Sequence, residues 1–77
     1  MKERILALLE TAMPMIDFTS SDRLVDDGIL DSMSIVMLVS ELSMEFGVEF
    51  DLDHLEPANL NSIDAIVATV EQLLEKT

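Results

Sequence analysis

The stretch that decides the fold is Gly28-Ile29-Leu30-Asp31-Ser32-Met33, which leads directly into the apolar segment from Ser34 to Phe46. Gly28 can supply a turn, and Asp31 and Ser32 are helix-capping residue types, so the stretch predicts a loop that ends in a capped helix. At the helix start, the Ser32 hydroxyl either accepts a backbone N–H or points outward as a group open to modification. Local physics alone favours the cap, because serine is among the best N-cap residues.

The predicted helix, from about Ser32 to Phe46, has two apolar stripes. The first has the spacing of a core face and contains Ile35, Leu38, Val39, Leu42 and Phe46. The second is rotated away from it and contains Met33, Val36, Met37, Ser40 and Met44. A single core face does not need the second stripe, which is therefore either part of a wide buried face or a methionine-rich docking surface. Gly47 supplies the helix stop.

Amphipathic helices are also predicted at the two ends of the chain. The first runs from about Lys2 to Met13, is ended by Pro14, and has a core face of Ile5, Leu8, Leu9 and Ala12. The last runs from about Ser62 to Glu75, with an inner face of Ile63, Ile66, Val67, Val70, Leu73 and Leu74. Asn61 and Asp64 resemble a capping box at its start. Residues 56–60 fit a very short helix with proline in its first turn.

The connections are predicted to be packed loops. Residues 15–31 lack a sustained period, but we expect their apolar side chains to be held against the core: Ile16, Phe18, Leu24, Val25, Ile29 and Leu30. Residues 19–22 could start a short helical turn, and residues 26–28 carry a turn signal. Residues 48–53 alternate apolar and acidic side chains too briefly for a paired strand, which predicts an extended loop with Val48, Phe50 and Leu52 turned inward.

These elements predict an all-α fold with one domain over residues 1–77: a small four-helix bundle of three main helices and one short helix, with a long loop between the first two. A chain of 77 residues can form one core but is too small for a deep catalytic cleft with supporting walls, so we do not expect an enzyme. The absence of cysteine excludes disulfides and suits a cytoplasmic location. No apolar run approaches the ~20 residues that span a bilayer.

Charge is the strongest bulk property of the chain. Sixteen Asp and Glu residues against four Lys and Arg residues give a net charge of −12. This charge would repel nucleic-acid phosphates and anionic lipid surfaces, so we do not expect nucleic acid as a partner. A protein with a basic patch is the natural electrostatic complement.

No set of residues in the sequence indicates catalysis or metal binding. His54 is the only histidine, and no cysteine could share a metal with it, so a solvated or capping role is expected. A hydrolase triad could be written from Ser32, His54 and one of many aspartates, but no Gly-x-Ser-x-Gly motif surrounds any serine. The alternative at this point is an unmodified acidic helical adaptor that binds a basic or apolar protein and uses Ser32 only as a cap.

The segment from Asp27 to Met33, followed by an apolar helix that ends Glu45-Phe46-Gly47-Val48, resembles the prosthetic-group region of the acyl and peptidyl carrier protein family. It is similar to the Asp-Ser-Leu motif of that family, with Met33 in place of leucine, a change also at home in D-alanyl carrier proteins. The resemblance covers nearly the whole chain and includes the Pro-x-Asn-Leu-x-Ser-Ile-Asp-Ala-Ile run that starts at Pro57.

The resemblance implies a covalent arm at Ser32. In the family, a phosphopantetheinyl transferase moves 4′-phosphopantetheine from coenzyme A to the motif serine, and the thiol of the arm carries acyl or aminoacyl groups as thioesters. Asp31 matches the motif aspartate, which helps to hold the metal used by the transferase. The implied partners are this transferase and the adenylating ligases or synthases of fatty-acid, polyketide, nonribosomal-peptide or D-alanyl transfer pathways. A monomer is expected, and Ser62 is assigned to capping.

The outer face of the predicted second helix differs from that of fatty-acid carriers, in which it is rich in acidic residues. Here Glu41 and Glu45 are the only acids of the helix. This difference favours carriers that serve adenylating ligases, including D-alanyl and free-standing peptidyl carriers, in which recognition depends more on apolar contact. We therefore expect the partner-binding surface to contain Met33, Val36, Met37, Glu41 and Met44.

Overall fold

The structure is a computed structural model that describes residues 1–75, and it is all-helical over this range. Its helices are α1 (Lys2–Ala12), α2 (Ser32–Phe46), α3 (Pro57–Leu60) and α4 (Ile63–Glu75), and one turn of 3-10 helix (Leu52–Leu55) precedes α3. Helix α1 packs against both α2 and α4, and α3 packs against α4. The predicted all-α bundle of three main helices and one short helix is confirmed. None of the helices within residues 1–75 is long and apolar enough to cross a bilayer.

One hydrophobic core joins the main helices to the long loop. Its fully buried side chains include Ile5, Leu9, Phe18, Leu24, Leu30, Leu38, Leu42, Leu60, Ile66 and Val70. The first stripe of α2 faces this core, as predicted, with Leu38 and Leu42 completely buried. Helix α1 ends one residue earlier than predicted, at Ala12, and Met13 is its buried C-cap residue.

The loop between α1 and α2 is packed, as the spacing of its apolar residues predicts. Ile16, Phe18, Leu24 and Leu30 are buried, and Val25 and Ile29 pack against them. A helical turn forms at residues 23–28, directly after the predicted start at residues 19–22, and the Ser21 Oγ accepts the Arg23 N–H at its beginning. Within the turn, the Asp27 N–H donates to the Arg23 carbonyl, and the Gly28 N–H donates to the Val25 carbonyl. The turn closes at Gly28 with φ +77°, a backbone conformation that favours glycine.

Two local predictions are wrong. Leu52, predicted to turn inward, is 84% exposed. It begins the 3-10 turn, which breaks the two-residue alternation that buried Val48 still follows. Asn61 and Asp64 do not form a capping box, because the Ser62 Oγ accepts the Ala65 N–H at the start of α4 and the Asn61 side chain faces the long loop.

Helices α1 and α2 run antiparallel. The Arg4 guanidinium, near the start of α1, lies 2.6 Å from Glu45 Oε2 and 4.8 Å from the centre of the Phe46 ring, near the end of α2. Gly47, at φ +66°, ends α2 as predicted and donates its N–H to the Ser43 carbonyl. The start of α2 therefore lies at the end of the bundle where α1 finishes.

Candidate attachment site at the start of α2

The side chain that caps α2 belongs to Asp31. Its backbone is extended, its Oδ1 accepts the Ser34 N–H at 2.8 Å, and its carbonyl accepts the Ile35 N–H at 2.9 Å. These contacts are those of an N-cap residue, so Ser32 becomes the first residue of the helix. The capping role that local physics favours for Ser32 is therefore filled by its neighbour.

The Ser32 side chain is accessible from solvent. Ser32 is exposed, and within residues 1–75 its hydroxyl has no hydrogen-bond partner. Ser62, by contrast, is partly buried and uses its oxygen to cap α4, in agreement with the role assigned from the sequence. Exposure alone does not single out Ser32, because Ser40 in the middle of α2 is also exposed. The distinguishing feature is the position of Ser32 on the first turn, directly after an aspartate.

Two charges act near the Ser32 oxygen, one from the Asp31 carboxylate and one from the amino end of α2. Because the Ser34 N–H donates to the carboxylate, the pKa of Asp31 lies below its ordinary value of 3.8, and this side chain is ionised at neutral pH. The amino end of a helix carries a positive partial charge that favours phosphate groups.

We expect Asp31→Asn to remove part of the acid sensitivity of the fold. Asparagine caps helices about as well as aspartate but does not titrate. Since the folded pKa of Asp31 is depressed, its carboxylate contributes its full stability above the unfolded pKa of about 3.9 and loses it as the pH falls through the folded pKa. The free energy of unfolding of both proteins is measured with urea between about pH 2 and 6. The stability of the variant relative to wild type should increase as the pH falls. A difference that stays constant with pH would contradict this expectation.

The residues before Asp31 anchor the start of α2 to the bundle. Leu30 is buried and donates its N–H to the Leu24 carbonyl at 2.9 Å, and the Leu24 N–H donates to the Asn61 carbonyl at 2.7 Å. Sequence reasoning missed this role of Asn61, because the contact joins positions far apart in the chain and no local pattern indicates it.

The second stripe of α2 is on the surface. Met33 is 71% exposed, Val36 60%, Met37 43% and Met44 74%, and Ser40 is exposed among them. Glu41 is partly buried beside this stripe. Of the two alternatives that the sequence leaves open, the wide buried face is excluded.

His54 is packed against its neighbours in the sequence. Its side chain is only 13% exposed, its Nδ1 contacts Asp51, and its ring meets that of Phe50 edge to face at 6.4 Å. Asp51 also accepts the His54 N–H and so caps the 3-10 turn. In the part of the chain that the structure describes, no three His, Cys, Asp or Glu side chains are grouped so that they could hold a metal ion.

In a comparison with protein-family models, residues 3–70 match the phosphopantetheine attachment site. The chain belongs to this family. The expected resemblance to phosphopantetheine carriers is thereby confirmed, and the prosthetic group of this phosphopantetheine attachment domain is covalent 4′-phosphopantetheine. When bound, that group supplies a thiol at the end of a flexible arm. The start of α2 fits it, because an exposed hydroxyl without a partner can be modified without moving any buried side chain.

Curated relatives of this phosphopantetheine attachment domain include several D-alanyl carrier proteins. That of Lactococcus lactis subsp. lactis is 31% identical over 74 residues, which cover 94% of each chain. That of Leuconostoc mesenteroides is 32% identical over 78 residues, or 96% of each chain. That of Lacticaseibacillus casei is 36% identical over 64 residues, or 73% of this chain and 79% of the relative. No solved structure gives a significant match to the chain.

Proposed function

We propose that Ser32 carries the 4′-phosphopantetheine arm and that the protein is an aminoacyl carrier whose load is D-alanine. The observation that supports the attachment residue best is the exposed hydroxyl of Ser32, which has no hydrogen-bond partner within residues 1–75, on the first turn of α2 and directly after Asp31. The assignment of D-alanine as the load is supported by relatives that are named D-alanyl carrier proteins and align over almost the whole chain. The apolar outer face of α2 also differs from the acidic face expected of a fatty-acid carrier.

In this proposal the chain acts as a carrier and its partner enzymes supply the chemistry. Asp31 keeps a negative charge next to the Ser32 hydroxyl and helps to hold the metal of the phosphopantetheinyl transferase while the hydroxyl is modified. The partners are that transferase and an adenylating ligase. Residues 1–77 act as one carrier domain in the cytoplasm, and the high net negative charge of the chain favours a monomer by opposing self-association.

The docking surface for these enzymes is the exposed stripe of α2, made of Met33, Val36, Met37 and Met44 with Glu41 at its edge. Four large apolar side chains on one helix are an unusual use of solvent-exposed surface, and methionine adapts its shape to more than one partner. Helix-in-groove binding uses this kind of spacing along one helix face. The complementary surface on each enzyme is an apolar groove with basic residues at its rim, because the carrier is strongly acidic.

The proposed function is tested in two steps on the unmodified protein. Incubation with coenzyme A and a promiscuous phosphopantetheinyl transferase should add the mass of one phosphopantetheinyl group. The product is then incubated with ATP and a D-alanine-activating ligase, with L-alanine and a fatty acid plus its own ligase as comparisons. D-alanine should be loaded fastest and released by hydroxylamine. Failure of the first step overturns the carrier function in favour of the adaptor alternative, and equal loading of the comparisons overturns only the assignment of D-alanine.

Met37→Glu and Met44→Glu are each expected to lower kcat/KM for D-alanylation about 5- to 30-fold, the effect of losing a central apolar contact in an interface. Both side chains are exposed, so the stability of the fold should change little. The matched control is Leu52→Glu, which makes the same kind of change at a side chain that is 84% exposed but lies outside α2. Equal losses at Leu52 and at the two methionines would contradict the docking surface.

A further inference from the structure

Asn61 joins the segment between α3 and α4 to the loop that precedes α2. Its carbonyl accepts the Leu24 N–H at 2.7 Å, and its Oδ1 accepts the N–H groups of Val25 at 2.9 Å and Asp26 at 3.1 Å. Its Nδ2 donates to Asp26 Oδ2 at 3.0 Å. The carbonyl, Oδ1 and Nδ2 of Asn61 therefore all form hydrogen bonds with the same short stretch of loop, residues 24–26.

These contacts cap the helical turn of residues 23–28 from a distant part of the chain. The first N–H groups of a helical turn have no partner within the turn, and an asparagine oxygen is a preferred acceptor for them. Here Asn61 supplies that oxygen across 35 positions, whereas a usual N-cap residue is adjacent to the turn. The turn is also held by its own backbone bonds, which end at Gly28, and by the Ser21 Oγ, which accepts the Arg23 N–H and donates to Asp27 Oδ2.

The capped turn leads directly to the attachment residue. The Leu24 carbonyl accepts the Leu30 N–H, and both side chains are buried, so the two residues hold the turn and the last part of the loop against the core. Only Asp31 separates Leu30 from Ser32. A continuous series of backbone bonds therefore runs from Asn61 through Leu24 to Leu30. Helix α2 itself is held separately, by Leu38 and Leu42 in the core.

We propose that Asn61 is a positioning residue for the modification of Ser32: it fixes the loop that leads into the first turn of α2, where the hydroxyl is presented to the transferase. This inference rests on the proposed attachment at Ser32. Without the Asn61 side chain, the Val25 and Asp26 amides lose their acceptor and the loop samples other conformations, while the helices stay assembled. Since small misplacements of a reacting group are costly, the rate of modification falls more than the loss of stability explains.

The test uses the full chain and four variants. Asn61→Ala removes all three side-chain hydrogen bonds. Asn61→Asp keeps the oxygen but puts a second carboxylate beside Asp26, and Asp26→Asn alone keeps a compatible pair. The double variant with Asn61→Asp and Asp26→Asn exchanges donor and acceptor and can restore the hydrogen bond between the two side chains. Each protein is assayed for kcat/KM with coenzyme A and the transferase, and for hydrogen exchange at the backbone amides of Val25, Asp26 and Leu30.

We expect Asn61→Ala and Asn61→Asp to lower kcat/KM about tenfold, with faster exchange at all three amides. Asp26→Asn should stay close to wild type, and the double variant should recover most of the loss, a non-additive result that a general loss of stability does not produce. Asn59→Ala is the chemical control, because that side chain donates to Asp53 and not to the loop. Ile66→Val is the control for destabilisation, since Ile66 is buried in α4.

Two results would overturn the inference while leaving the proposed function intact. In one, wild type is modified and Asn61→Ala is modified at the same rate. In the other, Ile66→Val or Asn59→Ala lowers the rate as much as Asn61→Ala does. If wild type itself accepts no arm, the proposed function fails. In that case the exchange rates still report whether Asn61 fixes the loop.

Discussion

Replacing Ser32 with alanine is expected to abolish attachment of the phosphopantetheine arm completely. The variant lacks the oxygen that forms the phosphodiester bond, so the loss should be all or none. The fold should be unaffected, because Ser32 is exposed and α2 is capped by Asp31. Intact mass after incubation with coenzyme A and a transferase should show one added group on wild type and none on the variant, with the same circular dichroism spectrum for both.

Two controls make this result specific to the position of the hydroxyl. Ser34→Ala changes a serine on the same turn but keeps the backbone N–H that Asp31 accepts, so it should be modified like wild type. Ser40→Ala changes the other exposed serine of α2 and should also be modified. An arm found on Ser32→Ala, or lost from Ser40→Ala, would move the attachment residue elsewhere.

The largest expected effect on stability comes from Phe18 in the long loop. Phe18 is 1% exposed and is the largest of the fully buried side chains within residues 1–75. Truncation of a buried phenylalanine to alanine typically costs about 3–5 kcal/mol, a large share of the ~5–15 kcal/mol that stabilises a small domain. We therefore expect Phe18→Ala to be largely or completely unfolded at moderate urea concentrations at which wild type is folded, as measured by the urea midpoint at 25 °C.

Met15→Ala is the matched control in the same loop. Met15 is 77% exposed, so its loss should change the free energy of unfolding by less than about 0.5 kcal/mol. Similar urea midpoints for the two variants would contradict the conclusion that this loop is part of the core.

The main helices could be predicted from the sequence because their signals are local. Apolar spacing gives the buried faces of α1, α2 and α4. Pro14 and Gly47 mark the ends of α1 and α2 to within one or two residues. The 3-10 turn was missed because its first residue, Leu52, continues an alternating pattern by residue type alone. The turn is set by the Asp51 carboxylate accepting the His54 N–H, which the pattern does not encode.

The candidate site was less accessible to local reasoning. Asp31 and Ser32 both favour an N-cap, and only the backbone of the structure decides that Asp31 takes this position. The importance of Ser32 came from resemblance to a family and not from its chemistry. The exposure of the second α2 stripe depends on which helices pack against α2, and the contacts of Asn61 join segments 35 positions apart. Such long-range features have no local pattern.

Helix α2, which runs antiparallel to α1, has the proposed attachment residue at its first turn and part of the proposed docking surface near its last turn. The load would be attached at Ser32. The Met44 end of the exposed stripe, beside the Arg4–Glu45 pair, lies about 18 Å away, at about 1.5 Å per residue. An enzyme that binds the half of α2 near Met44 can therefore recognise the carrier without contacting the loaded arm. Loaded and empty forms would then compete for binding at that half of α2.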